Sequence, residues 1–224
     1  MLRVEFHCHT VFSKDSLTSP RQLVDACRRK HIDRVIVTDH DTIAGARAAH
    51  QLDPERVIVG EEIMTTRGEI LAAFVKEEIP PRLSPQETIN RLRSQGAFIS
   101  VSHPFDAMRA GGWDEPDLLE IAPLVDAIEI YNSRCVNPAF NTQALAFARK
   151  HNLAGTVGSD AHAPLELGRS VLLLEPFADA DGLRAVVRLA TAQTRWSPPW
   201  FHFISRYAKF RKQINKWIDT SAGA

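Results

Sequence analysis

Seven short apolar runs, each ending in polar residues and mostly separated by helical patterns, restrict this chain to a sheet covered by helices. The runs are "RVIVTDHD" (34–41), "RVIVGEE" (56–62), "EILAAFV" (69–75), "AFISVSHP" (97–104), "AIEIYN" (127–132), "AGTVGSDAH" (154–162) and "SVLLLE" (170–175). Continuous apolar runs of this length read as strands buried on both faces, the pattern of parallel sheets. Helix starts lie between them: Ser19-Pro20 with Gln22, Ser84-Pro85 with Glu87, and Asn137-Pro138. Each puts a capping side chain before a first-turn proline, and the two serines also have a capping-box partner. Gly96 stands where a helix C-terminal cap is expected.

The polar residues separate a closed barrel from an open sheet. His7 and His9, Asp39 and His40, Glu62, His103, and Asp160 with His162 all fall where predicted strands end. A barrel gathers such ends around one mouth, whereas an open sheet spreads them along an edge. The expected fold is therefore α/β, a TIM-like barrel of about seven strands. With 224 residues, 44% of them hydrophobic, the chain suffices for one large domain. Lys+Arg and Asp+Glu both total 27, so there is no global attraction to nucleic acid or lipid. No signal-peptide pattern or transmembrane run is present, and Cys8, Cys27 and Cys135 form neither a disulfide framework nor a cysteine zinc site. A cytoplasmic location is expected.

The division expected is a barrel over residues 1–194 and a basic amphipathic helix over 195–224. The latter segment carries six Lys or Arg against one Asp, with Trp200, Phe203, Ile204, Tyr207, Phe210, Ile214, Trp217 and Ile218 at helical spacing. The plain expectation is that this stripe docks on the barrel; a membrane surface or a dimer interface is the alternative.

In "FHCHT" the alternation of a strand points His7 and His9 to one face and Cys8 to the other, an arrangement that suits two imidazoles on one metal. A mouth collecting five histidines and several carboxylates would be costly to fold without cations. Mixed imidazole and carboxylate donors suit zinc, manganese or iron rather than calcium. His31, His50, His151 and His202 fall on helices or in the basic tail and read as surface or packing residues.

Taken together, "HCHT" with "SKDS", "VTDHD", "GEEI", "SHPFD", "EIYN" and "GSDAH", in this order over residues 4 to 175, resemble the PHP (polymerase and histidinol phosphatase) domain of metal-dependent phosphoesterases. The resemblance implies a distorted (β/α)7 barrel with two or three divalent metal ions. It assigns His7, His9, Glu62 and Asp160 to one metal, and Glu62, His103 and Glu69 to a second. Asp15, His40 and His162 would hold a third. Glu69 departs from the family, which often has histidine there, and a carboxylate shifts the preference toward manganese. Spacing from Gly60 favours Glu62 over Glu61 as the bridging residue.

The expected chemistry is hydrolysis of a phosphate ester of a small metabolite or nucleotide by a metal-bridging hydroxide. Arg134 and Arg109 are candidate phosphate clamps, with Asn132 beside them, and His162 or Asp39 is the candidate proton donor to the leaving group. Asp39 has a second reading, as a residue orienting His40 or capping a turn. Release of nucleotides from short RNA or DNA ends in the 5'-3' direction is the alternative activity, and metal-dependent hydrolysis of an amide or ester uses the same hydroxide. A non-catalytic metal-binding scaffold is a further reading.

Overall fold

The computed structural model describes residues 1–222, with side chains through residue 215. Trp217 and Ile218 of the C-terminal stripe lie outside the described side chains. One sheet contains β1 (Leu2–Glu5), β2 (Arg34–Val37), β3 (Val57–Met64), β4 (Glu69–Ala73), β5 (Phe98–Val101), β6 (Ala127–Asn132), β7 (Ala154–Gly158), β8 (Ser170–Leu174) and β9 (Thr191–Thr194). The helices are α1 (Pro20–Arg29), α2 (Ala44–Leu52), α3 (Pro85–Ser94), α4 (Glu115–Ile121), α5 (Pro138–Lys150), α6 (Ala180–Val186) and α7 (Phe201–Ala222).

The strand order is β7-β6-β5-β4-β3-β2-β1-β8-β9. At the mouth the sheet closes on itself: Cys8 bridges Ala161 in parallel, and His9 N–H donates to the Ala161 carbonyl at 2.8 Å. Below this bridge β8 enters antiparallel to β1. A buried polar seam joins β7 to β8. The Glu5 carboxylate accepts Ser159 N–H and Gly168 N–H, each at 2.9 Å, as well as the Ser159 hydroxyl. Burial pushes the Glu5 carboxyl up to about 7, against the hydrogen bonds from Ser159, Gly168 and His7 that lower it.

The architecture is the expected distorted barrel, with nine strands rather than seven and four antiparallel pairings. Strand β9, "TAQT", is exposed throughout, so it carries none of the apolar signal from which strands are read. The β3–β4 hairpin also changes where site residues sit. Glu62 lies inside β3 rather than at its end, because β3 continues to Met64 and turns back into β4. Antiparallel β4 then brings its first residue, Glu69, to the mouth.

One core cluster takes residues from every strand between β1 and β8, including Val4, Ile36, Ile58, Ala73, Phe98, Ala127, Val157 and Leu172. Contact with all eight strands puts it inside the barrel, where Phe177 and Leu183 of the α6 region complete it. Two further clusters fill the space between sheet and outer helices, and Cys8 packs with Leu23 and Cys27 in one of them. Ser19 forms the complete capping box with Gln22. Ser84 accepts Glu87 N–H at 3.2 Å, but the Glu87 carboxylate pairs instead with Arg91, at 2.8 Å.

The C-terminal helix contradicts the expected apolar docking. Phe201 and Ala208 are buried, whereas Phe203, Tyr207, Phe210 and Ile214 are exposed, and Trp200 precedes the helix. The loop after His9 offers α7 the carbonyls of Val11 and Ser13 and the carboxylate of Asp15, and α7 meets them with basic side chains. Lys212 Nζ donates to the carbonyls of Val11, at 2.6 Å, and Ser13. Lys209 Nζ lies 3.4 Å from Asp15 Oδ2. Among the described residues, no helix is long and apolar enough to cross a membrane.

Candidate metal centre

Glu62 sits in the middle of the mouth. Its Oε2 lies 3.2 Å from His7 Nε2, 3.5 Å from His9 Nε2 and 3.1 Å from His40 Nδ1. Its Oε1 lies 3.3 Å from His103 Nε2 and accepts the Ser102 hydroxyl at 2.7 Å. Asp160 Oδ1 is 3.3 Å from His9 Nε2 and 3.7 Å from His7 Nε2. Glu69 joins from β4, with Oε1 3.5 Å from His40 Nδ1 and Oε2 3.3 Å from His103 Nε2. Asp15 closes the other flank, 3.5 Å from His40 Nε2 and 3.3 Å from His162 Nε2. Glu61 alternates to the opposite face of β3, where it accepts Ile79 N–H at 3.1 Å. His31, His50 and His151 stand outside the cluster, and His202 lines the cleft from α7 while facing the Arg134 carbonyl at 3.1 Å.

Local backbone geometry turns these side chains inward. His103 and Asp160 both have positive φ, 21° and 51°, as the chain leaves β5 and β7. Such conformations cost energy in residues other than glycine and concentrate at functional sites. Gly158 lets Glu129 approach His7, since a Cβ there would collide with both side chains.

The electrostatics favour cations. Burial works against charge on Glu62 and Asp160, yet His7 and His40 beside Glu62, and Arg109 and His7 beside Asp160, hold both carboxyls well below the usual range. Burial likewise opposes a charged His40, but Glu62 and Asp15 raise it to about 9. His103 reaches about 9 as Glu62 and Glu69 outweigh burial and Arg109. His7 Nε2, His9 Nε2 and Asp15 Oδ1 are buried without a hydrogen-bond partner. Orphaned buried donors or acceptors are costly, so lone pairs aimed at a shared point fit divalent cations. Three groups, His7/His9/Glu62, His40/Glu62/Glu69 and His9/His40/His162, each bring their donor atoms within 4.8 Å of one another. These groups contain six of the nine expected ligands, two of the three groups in combinations other than the assignment by resemblance, and Asp15, His103 and Asp160 adjoin them through the contacts above.

Glu129 escaped the sequence reading. Its Oε1 lies 3.0 Å from His7 Nδ1, which gives that nitrogen the proton and leaves Nε2 as a lone pair facing Glu62. Its Oε2 accepts His103 N–H at 2.8 Å and Asn132 Nδ2–H at 3.1 Å. A glutamate inside the apolar strand "AIEIYN" was the available signal, because a buried carboxylate demands partners. Replacement by alanine, Glu129→Ala, is expected to weaken divalent-metal affinity about 10- to 100-fold, as read by calorimetry. Unchanged affinity would remove Glu129 from this role.

Several candidates take other positions than expected. Asp39 is fully buried, and its two oxygens accept Thr10 N–H and the Thr10 hydroxyl, both at 2.6 Å, so it cannot serve as a proton donor in the cleft. His162 donates from Nδ1 to the Asp160 carbonyl at 2.8 Å, and its Nε2 faces Asp15. Burial and the neighbouring Arg134 push it down to about 3, so at neutral pH it is uncharged and its one proton is committed to the Asp160 carbonyl. Asn132 is buried as a brace, donating to Glu129 and, at 3.3 Å, to Asp160 Oδ2.

The two arginines also divide. Arg109 donates to Asp106 at 3.0 Å and to Asp160, while its Nη2 makes only a 3.5 Å contact with Asn132 Oδ1. Arg134 is 2% exposed and points under α7, donating to Ser205 Oγ at 2.9 Å and to the Phe201 carbonyl at 3.3 Å. Arg134 is a strut for α7 more than a clamp. Truncation, Arg134→Ala, leaves Glu166 buried beside a lost charge and is expected to cost about 3 kcal/mol in denaturant unfolding. Faster proteolysis within α7 should accompany it.

Comparisons with known proteins follow this geometry. A PHP domain model matches residues 5–111, and a PHP-associated model matches residues 138–191. Uncharacterized protein MJ0417 of Methanocaldococcus jannaschii is 36% identical over 174 residues, covering 76% of this chain and 70% of that protein. A Bacteroides vulgatus two-domain protein, described as containing a predicted PHP-like metal-dependent phosphoesterase, superposes with a TM-score of 0.69 at 20% identity. The match covers 87% of this chain but 65% of that one, just under two thirds of its length. PsfC of Pseudomonas syringae superposes with a TM-score of 0.68 at 17% identity, over 94% of this chain and 99% of that one. Matched in sequence across most of its length, and carrying its histidines and carboxylates together at the barrel mouth, this chain belongs to the PHP domain family.

Proposed function

We propose that this protein is a metal-dependent phosphoesterase acting on a small phosphorylated metabolite or a nucleotide. The observation that carries the reading is Glu62 among four imidazoles, three of them with a buried nitrogen lacking a hydrogen-bond partner, beside a cleft of about 580 Å³ lined by His40, Glu69, Asp160 and His162. In this reading His7, His9, Glu62 and Asp160 hold one cation, Glu62, Glu69 and His103 a second, and Asp15, His40 and His162 a third. Divalent cations at such a cluster supply Lewis acidity, which makes water nucleophilic near neutral pH and offsets charge on a phosphoryl group.

The chain's own residues do the rest. Glu129 fixes the His7 tautomer, and Asn132 and Arg109 hold Asp160 from behind. The Nη2 edge of Arg109, weakly engaged at 3.5 Å, is the donor available to a phosphoryl oxygen. Gly111 lies so close that a Cβ there would collide with Glu69, so the loop bearing Arg109 packs directly on the cluster.

The purified protein supplied with manganese should release phosphate from an aryl phosphate monoester, and a chelator should stop it. Absence of turnover with manganese, zinc and iron would overturn the reading. Loss of Arg109 should raise KM more than it lowers kcat, whereas unchanged kinetics would favour amide or ester hydrolysis at the same metals.

A further inference from the structure

We propose that the cleft contains a second anion subsite, formed by Lys14 and by Arg206 and Lys209 of α7. The substrate would then carry another anionic group, a carboxylate or a phosphate, beside its scissile phosphate. This rests on the phosphoesterase reading of the same site.

Three cations of the cleft stand largely without partners. Lys14, Arg206 and Lys209 all line the cleft, from the loop after His9 on one side and from α7 on the other. Among the described residues, Lys209 with Asp15 at 3.4 Å is the only ion pair these three cations make. The other basic groups nearby are engaged: Arg109 with Asp160 and Asp106, Arg134 with Ser205 and the Phe201 carbonyl, and Lys212 with the carbonyls of Val11 and Ser13. Like charges facing one cleft repel each other, and an anion bridging them relieves the repulsion while gaining charge-assisted hydrogen bonds.

Arg206 lies on α7 three residues before Lys209, whose Nζ sits 3.4 Å from Asp15 Oδ2, so the subsite borders the flank of the cluster that Asp15 closes. Arg109 is tied to Asp160 and so belongs with the scissile phosphate, whereas Arg206 and Lys209 project from the helix. Phe203 and Met108, 66% and 69% exposed, add apolar surface to the cleft between and around these charges. The matched family segments, 5–111 and 138–191, both end before α7, so its side chains lie outside the part that defines the family. A ligand with two anionic ends and a short body fits this distribution, and a plain monoester leaves the α7 cations unused.

Methyl phosphate and 2-phosphoglycolate test the subsite, since both are phosphate monoesters and only the second carries a carboxylate. Calorimetry on the manganese-supplied protein should show about tenfold tighter binding of phosphoglycolate, a preference that weakens as salt rises from about 50 to about 500 mM. The double replacement Lys14→Ala with Arg206→Ala should cut that preference about fivefold or more, and Arg206→Lys should retain most of it. Lys14 and Arg206 are exposed, and a thermal unfolding scan verifies that the variants remain folded. A wild-type protein without the preference, or a double variant that keeps it, overturns the subsite. Failure of the phosphoesterase reading looks different: no phosphate is released from either ester while the binding preference persists.

Discussion

Replacing Glu62 by glutamine is expected to abolish phosphate release, by about a thousandfold or more, equivalent to ~4 kcal/mol of barrier. The side chain touches four imidazole nitrogens within 3.5 Å, and no other carboxylate in the cluster reaches so many imidazoles. An amide of the same shape keeps one acceptor oxygen but presents an N–H₂ group to lone pairs, and it lacks the charge that two cations would share. Elemental analysis of Glu62→Gln should therefore show at least one metal equivalent fewer than the wild type. A variant that keeps its metals and stays within tenfold of wild-type turnover would show that Glu62 does not bridge.

Metal loading should also expel protons, and the sign follows from the histidines. In the metal-free protein, facing carboxylates raise His40 and His103 to about 9, so both carry a proton at neutral pH. A ligating imidazole must be neutral, so binding displaces these protons and apparent affinity climbs about tenfold per pH unit for each proton lost. Calorimetry at pH 7 in buffers of different ionisation heat should detect at least two protons released, since, against burial, Glu62, Asp160 and Glu129 also hold His7 well above the ordinary imidazole range. The stability consequence runs the same way. Raised histidine values stabilise the metal-free fold fully below the ordinary 6.5, and this contribution fades as pH climbs toward about 9. The gain in melting temperature on adding metal should accordingly widen between pH 6.5 and 9. Binding heats that do not depend on the buffer would contradict this account.

Much of the site was legible because its residues sit where buried strands run out. His7, His9, His40, His103, Asp160 and His162 each follow an apolar run, and strand alternation separates Cys8 from its neighbours, while the preference for Glu62 over Glu61 came from the family resemblance. Less was legible where tertiary structure overrides local pattern. Glu69 reaches the mouth only because β4 runs antiparallel, a property of the sheet and not of the residues near position 69. Asp39 reads like a site residue from its place beside His40, yet Thr10, from a different loop, captures both of its oxygens. The aromatic stripe of α7 predicted apolar docking, but helix periodicity says which residues share a face and nothing about which face is turned inward. That choice was made by the carbonyls of Val11 and Ser13 and by Asp15.

The bridge between Cys8 and Ala161 has a consequence for how the molecule forms. It joins segments about 150 residues apart, and the same junction carries His7 and His9 on one side with Asp160 and His162 on the other. The ligand cluster therefore cannot be assembled from any short stretch of chain, and it waits on contacts between the two ends of the barrel. During synthesis, a ribosome-bound chain that has not yet exposed residue 162 would present isolated imidazoles and carboxylates, with no pocket to retain a cation tightly. Tight metal capture thus reports that the barrel has closed, and the ion would act last, as a clasp on a ring already drawn together.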